Sequence, residues 1–316
     1  MSVSTTQVGG LALATPVMTA SGCAAAGREL APFIDLTSIG AVVTKSVMLR
    51  PRSGRPTPRM AETPSGMLNS IGLQGPGVEA FCETDLPWLH ERGITTVVSI
   101  AGGSVAEFAD VAAHLAGRDG IGAIEVNISC PNVANRGLVF ACDPAPAGEV
   151  VAAVVAQTPS STPIFAKLSP DVADIVPIAA ACLQAGATGL SAINTTLGMV
   201  IDTDTLRPRL AVATGGLSGP AIRPVALRVV WQLAAAMRAG TIASAPIIGI
   251  GGIRTGLDAL QFIAAGASAV QVGTIIFHDP SAPVRIAQEL ETALIQRGFA
   301  SVADAVGIAH TPRSST

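Results

Sequence analysis

The sequence predicts an α/β protein, a closed (β/α)8 (TIM) barrel with extended loops at one rim. Three observations predict it. Eight short, nearly continuous apolar runs are spread along the chain, and longer helical patterns lie between them. Hydrophobic residues make up 49% of the 316 positions and charged residues 13%, with Ala, Val, Ile and Leu dominant and no tyrosine. Strands buried on both faces of a parallel sheet read as continuous apolar runs rather than alternating ones. Parallel neighbours also need a crossover, which is usually a helix. Eight such units fit a closed barrel better than an open sheet.

In chain order the predicted strands are "PVMTAS" (16–21), "AVVTKSV" (41–47), "TTVVSIA" (95–101) and "AIEVNIS" (123–129). They continue with "PIFAKLS" (163–169), "GLSAIN" (189–194), "PIIGIGG" (246–252) and "AVQVGTIIF" (269–277). Helical patterns include "SVAEFADVAAHLAG" (104–117), "DIVPIAAACLQAG" (174–186) and "TGLDALQFIAAG" (255–266). Each of these closes on Gly, the residue that best tolerates a helix C-terminus. Two connections, 48–77 and 195–222, are too long for simple turns. Connections of that length inside a compact domain are usually functional, and both follow strands, which places them on the C-terminal rim of a barrel. No linker or low-complexity tract divides the chain, so 1–316 reads as a single domain.

Composition excludes several classes. A net charge of −3 gives no electrostatic reason for a nucleic-acid partner. No apolar run reaches bilayer length and no basic flank leads into an apolar leader. The five cysteines (Cys23, Cys82, Cys130, Cys142, Cys182) are scattered, without a C-x-x-C pair, and the four histidines have no ligand spacing. That argues against a disulfide framework, a metal site or an iron–sulfur cluster held by this chain, and for a reducing cytoplasm.

A barrel gathers its strand ends around one mouth. Ser21, Lys45, Ser46, Ser99, Asn127, Ser129, Cys130, Lys167, Asn194, Thr195, Gly251, Gly252, Gly273 and Thr274 all stand at or near those ends. Two subsites separate by chemistry. "GIGGIR", "VGT" and "GGLSG" (215–219) offer small residues where backbone amides can approach a phosphate, although glycines also serve plain turns. Asn69, Asn127, Asn132, Asn194 and Thr195 form an amide-rich set suited to a planar ring with alternating N–H and C=O groups, although Asn is common in loops. Lys45 and Lys167 lie in apolar strands, where an ammonium needs an anionic partner or a lowered pKa. A Schiff-base role for Lys167, as in an aldolase-type barrel, therefore competes with a charge-stabilising one. Glu125, within the fourth strand, reads as ion-paired structure, with a supporting role behind the site left open.

The motifs "TKS" (44–46), "NSIGLQGPG" (69–77), "VNISCPN" (126–132), "AKLSP" (166–170), "INTT" (193–196), "GIGGI" (249–253) and "AVQVGT" (269–274) resemble the dihydroorotate dehydrogenases, in order from about residue 8 to 310. The resemblance implies an FMN-containing barrel that oxidises dihydroorotate to orotate. It implies Cys130 as the class 1 base taking a proton from C5, with hydride leaving C6 for the flavin. It assigns the substrate to Lys45, Asn69, Ser70, Ile71, Gly72, Leu73, Asn127, Asn132, Asn194 and Thr195. FMN would meet Ser21, Lys45, Ser46, Ser99, Asn127, Lys167, Ile193, Gly219, Gly251, Gly252, Gly273 and Thr274, with Lys167 stabilising the anionic reduced flavin.

Within that family, "NSIGLQGPG" and "AVQVGT" look most like class 1B, whose electrons pass to NAD+ through a separate subunit carrying FAD and a [2Fe–2S] cluster, on a homodimer core within a heterotetramer. Two departures stand out: "VANRG" at 133–137 replaces a common Gly-Gly pair, and Ser46 a usual Thr. Three rivals stay open at this stage: a fumarate-reducing class 1A enzyme, the aldolase-type barrel, and a non-catalytic flavin-binding scaffold.

Overall fold

The computed structural model describes residues 3–129 and 140–311. Eight parallel strands form the barrel: β1 (Val17–Thr19), β2 (Val42–Val43), β3 (Thr96–Ile100), β4 (Ala123–Asn127), β5 (Ile164–Leu168), β6 (Gly189–Ala192), β7 (Ile247–Ile250) and β8 (Ala269–Val272). They pair in the order β1-β8-β7-β6-β5-β4-β3-β2. The remaining seam, between β1 and β2, carries few ladder bonds. There Gly40 N–H donates to Val17 O (2.8 Å) and Thr19 N–H to Ala41 O (3.2 Å), while the Thr19 hydroxyl accepts from Val43 N–H (2.9 Å). The predicted barrel is therefore present and nearly closed.

Its helices are α1 (Leu86–Glu91), α2 (Val105–Leu115), α3 (Pro144–Gln157), α4 (Val176–Gln184), α5 (Arg223–Arg238), α6 (Gly256–Ala265) and α7 (Ala282–Gln296). Local chemistry sets their ends. The Ser104 hydroxyl caps α2 by accepting from Glu107 N–H, and Thr255 with Asp258 makes a capping box on α6.

Alternation along each strand divides the core. Met18 and Ala20, Ala41 and Val43, Ile248 and Ile250, with Val97, Ala123, Phe165 and Ala269, form one buried cluster inside the barrel. The intervening positions, such as Val98, Ile124, Ala166 and Val270, pack outward in the cluster that holds the helix residues. Val8, Leu11 and Leu13 join the inner cluster from a hairpin, Thr6–Val8 with Leu11–Leu13, and so plug the barrel. The two-residue turn Gly9–Gly10 requires positive φ at both positions (57° and 93°), which glycine adopts without strain.

Three expectations need correction. The first unit has no α-helix: the segment after β1 runs through turns, with Pro32 and a left-handed Gly27, to a short 3-10 helix Leu36–Ser38 capped by Asp35. The eighth strand stops at Val272 rather than Phe277, because Gly273 turns the chain (φ −124°, ψ −93°) into a 3-10 helix Thr274–Phe277. Gly273 and Thr274 thus follow β8 instead of lying within it. The two long connections are not merely loops. Thr196–Met199, Thr214–Ser218, Gly66–Asn69 and Met60–Thr63 make a four-stranded antiparallel rim sheet in that order.

Candidate active site

The inward positions of the barrel change character as the strands rise. Val97 is followed by Ser99, Ala123 by Glu125 and Asn127, Phe165 by Lys167, and Ala269 by Gln271. Parallel register brings these polar residues to one level, since Asn127 pairs with Lys167 and Ser99 with Glu125. A hydrogen-bonded chain runs across five strand ends. The Ser21 and Ser46 hydroxyls meet at 3.3 Å and those of Ser46 and Ser99 at 3.0 Å. Asn127 Nδ2 donates to Ser46 Oγ (3.1 Å), and Asn194 Nδ2 donates to Asn127 Oδ1 (3.2 Å). The predicted mouth residues of β1, β2, β3, β4 and β6 are therefore in contact.

Counting donors and acceptors shows what this chain can offer a ligand. Asn127 Oδ1 accepts from both Asn194 and Ser129 N–H, and one Nδ2 hydrogen goes to Ser46, which leaves a single N–H to give. Asn194 Oδ1 accepts from Thr195 N–H (2.8 Å), so one N–H and one lone pair remain. Asn69 spends one Nδ2 hydrogen on Gly216 O (3.4 Å) and keeps its own carbonyl oxygen. Ser70 is buried with a hydroxyl that has no partner among the described residues. Buried polar groups normally find partners, so this set is matched to a polar, planar guest.

The same corner holds charge. A cavity of about 130 Å³ is lined by Lys45, Arg50 and Asp85 together with Ser46, Leu73 and others. The predicted loop 70–73 is held over it from outside the barrel: Ser70 N–H donates to Arg59 O (2.8 Å) and Arg55 N–H to Ile71 O (2.9 Å). A Cβ added at Gly72 would sit 2.6 Å from Arg55 Cγ, so the loop is tightly seated.

The three glycine segments also converge. A Cβ built on Gly252 would lie 2.6 Å from Gly219 O, and Thr274 Oγ1 donates to Ser218 Oγ at 2.9 Å. Segments 215–219, 249–253 and 273–274, far apart in sequence, thus form one small-residue cradle beside the 3-10 helix that follows β8. A Cβ on Gly251 would likewise meet Ala226 Cβ at 2.5 Å and one on Gly219 would meet Gly66 Cα at 2.9 Å, so glycine is what lets these turns pack together. Backbone amides gathered in this way suit an anion. Cradle, hydroxyl chain and amide set together fit a nucleotide-like cofactor with a second planar ring beside it.

Sequence reasoning missed some members. The anionic partner that Lys167 needs is Glu125, whose Oε1 accepts from Lys167 Nζ at 3.1 Å, and Gln271 Nε2 also donates to Glu125 Oε2 at 2.7 Å. A lone glutamine in the run "AVQV" was the signal available. Cys23 Sγ lies beside Gly273, where an added Cβ would be 3.1 Å away. Burial pushes its thiol up to about 11, against the pull of Lys167 and Lys45. Ile193 is buried at the end of β6. Cys130 and Asn132 lie outside the described residues.

Comparison with known proteins agrees with this architecture. The profile of the dihydroorotate dehydrogenase family matches residues 3–294. The chain is 52% identical over 300 residues to the dihydroorotate dehydrogenase B (NAD(+)) catalytic subunit of Geobacter sp. strain M21, covering 95% of this chain and 96% of that one. The protein of the same name from Pelobacter propionicus is 52% identical over 303 residues, covering 96% and 97%. That from Geobacter sulfurreducens is 49% identical over 301 residues, covering 95% and 96%. With the family profile matched over most of a barrel-forming chain and identity of about half to relatives along nearly its whole length, this chain belongs to the dihydroorotate dehydrogenase family.

Proposed function

We propose that this chain is the catalytic subunit of a class 1B dihydroorotate dehydrogenase, which oxidises dihydroorotate to orotate in pyrimidine biosynthesis, with NAD+ as the final acceptor. The observation that carries this reading is identity of about half, sustained over nearly the whole length, to subunits of that name. The cofactor is FMN; when bound, it accepts the hydride that leaves C6 of the substrate.

The chain's own residues supply binding, orientation and proton removal. Lys45 provides positive charge for the substrate carboxylate, a charge-assisted contact stronger than a neutral one. Asn69, Asn127, Asn194 and Thr195 meet the edges of the pyrimidine ring, and the capacity left after their internal bonds supports that role: N–H groups for ring carbonyls, lone pairs for ring N–H. Ser70, with Ile71, Gly72 and Leu73, closes over the ring from the rim. Cys130 takes the C5 proton onto its sulfur, and Asn132, two positions on, is a further substrate contact. A thiol has a reference pKa near 8.5, within reach of working pH. Gly219, Gly251, Gly252, Gly273 and Thr274 hold the phosphate, while Ser21, Ser46, Ser99 and Ile193 line the rest of the FMN site. Lys167 sits 3.1 Å from a buried carboxylate, so it is an ion-paired ammonium. A Schiff-base lysine must offer a free amine, which speaks against the aldolase-type reading.

The relatives' name, a catalytic subunit, implies a partner. We assign to that partner the FAD and [2Fe–2S] cluster that carry electrons to NAD+. The rim sheet supports a second association, a homodimer core. Leu197 (67% exposed), Met199 (48%), Ile201 (45%) and Leu206 (75%) make an apolar ridge on and just beyond its edge strand. Leu197→Asp should leave folding intact and shift the sedimenting species toward monomer; an unchanged dimer would place the contact elsewhere.

The test of function is anaerobic. The purified protein should be yellow, release FMN on denaturation, and bleach when dihydroorotate is added. Alone it should reduce artificial acceptors yet use NAD+ poorly. Rapid NAD+ or fumarate reduction by the single chain would overturn the class 1B assignment.

A further inference from the structure

Beneath the ligand-facing ring lies a polar cluster whose charge has no outlet to solvent. Glu125 on β4 is 0% exposed, Gln271 on β8 1%, and Lys167 on β5 4%. Both carboxylate oxygens are taken, one by Lys167 Nζ at 3.1 Å and the other by Gln271 Nε2 at 2.7 Å. Strands β4 and β5 are neighbours, but β8 lies across the barrel, so Gln271 spans the interior to reach Glu125. Gln271 Oε1 has no partner among the described residues, so its polar contact is committed to Glu125. A buried ion pair is weak evidence for a stability device, because apolar replacements of similar volume are often as stable. Its position between an apolar plug and the mouth gives it another use.

We propose that Glu125, clamped by Gln271, is a positioning residue that keeps the Lys167 ammonium charged and fixed while the cofactor is oxidised, so that flavin reduction draws one proton from solution rather than two. This rests on the flavoenzyme reading above, in which Lys167 faces FMN. The oxidised flavin ring is neutral, so Glu125 is the counter-charge that Lys167 has before turnover. Negative charge on the reduced ring then supplies a second. Remove Glu125 and a buried ammonium stands beside a neutral ring, a situation in which lysine gives up its proton. Besides Glu125, the thiol of Cys23 lies within electrostatic reach of this lysine and of Lys45. Cys23, pushed up to about 11 by burial, stays a neutral thiol through the pH range used below.

The proton balance makes the proposal measurable. With Glu125 present, oxidised FMN takes two electrons and one proton to give the reduced anion. Without it, the same two electrons bring two protons, one to the flavin and one to the Lys167 amine. The midpoint potential of FMN in the holoprotein, poised with dithionite and redox dyes, should fall by about 30 mV per pH unit in the first case and about 59 mV in the second, because a tenfold change in a two-electron equilibrium is about 30 mV.

Wild type should hold the shallow slope from pH 6 to 9, and Glu125→Gln should show the steep one toward the alkaline end. Gln271→Met, which keeps both charges but loosens the clamp, should steepen at a pH between those of the other two. Wild-type slope in Glu125→Gln overturns the proposal. Should that variant load no FMN, Gln271→Met decides alone, and a slope identical to wild type overturns it. Failure of the flavoenzyme reading looks different: wild type itself would hold no FMN, or would not bleach with dihydroorotate.

Discussion

The plugged end of the barrel and its mouth are built on the same eight strands, two residues apart, and yet they obey different rules. At the plug, Val8, Leu11 and Leu13 meet Met18, Ala41, Val97, Ala123, Phe165, Ile248 and Ala269, all buried and apolar. One step up, Ser99, Glu125, Lys167, Ser191 and Gln271 occupy the equivalent inward positions, equally buried. The plug is held by area removed from water, which is non-directional and tolerant of shape. The mouth is held by hydrogen bonds that must each find a partner, and a missing partner costs more than a made bond gains. The barrel thus separates stability from chemistry along its axis. Ser191 Oγ and Gln271 Oε1, unpartnered among the described residues, mark the boundary.

The comparison breaks most clearly at the top. Cys130→Ala should bind FMN and orotate almost normally while flavin reduction by dihydroorotate falls by roughly 10²–10⁴-fold, the usual contribution of a positioned general base. Single-turnover reduction is the measurement, since it excludes later electron transfer. A wild-type rate in the alanine variant would mean that the thiol is not the base. At the plug the expectation reverses. Phe165→Ala removes a fully buried ring that packs against the plug and sits close to Gly189. It should cost about 3–5 kcal/mol in denaturant unfolding, the range for such truncations. Turnover per folded, FMN-loaded molecule should stay near wild type at low temperature. A large kcat loss with unchanged stability would erase the division between plug and mouth.

Legibility in the sequence follows the same division. Strands β3 to β7 could be placed to within two residues at most ends, because burial on both faces leaves a continuous apolar run. The mouth residues could be gathered in advance because a closed barrel forces strand ends together whatever their separation. The rim sheet could not be read. Its strands "TLGM", "TGGLS" and "GMLN" are short and Gly-rich, and the one that alternates, "TLGM", turns its apolar Leu197 and Met199 outward, so no buried face marks it as a strand. Asn69 and Gly216, joined within it, are 147 positions apart. Gln271 escaped for a related reason: its partner lies across the barrel, and one polar residue in an apolar run does not announce its direction. The missing first helix was hidden by "CAAAGREL", whose alanines favour helix while the left-handed Gly27 and the nearby Pro32 enforce turns.

The smallest expected effect lies at the seam, where the two rules meet. Thr19 is buried on β1, and its hydroxyl does what a ladder of backbone bonds does elsewhere in the barrel, accepting from Val43 N–H at 2.9 Å. Thr19→Val keeps the branched shape and loses the acceptor. If shape alone closed the barrel, as at the plug, the change would be almost neutral. If the seam follows the rule of the mouth, Val43 N–H is left buried without a partner, and stability should fall by about 1–3 kcal/mol. Thr19→Ser restores the hydroxyl with less volume and should recover most of that loss. Denaturant unfolding of the three proteins separates the cases, with amide hydrogen exchange at Val43 as the local readout. Faster exchange at Val43 in Thr19→Val, and slow exchange again in Thr19→Ser, would show that a side-chain oxygen completes the β1–β2 seam beside its two backbone bonds. Equal protection in all three would mean that packing closes it, and the apolar rule would extend one layer higher.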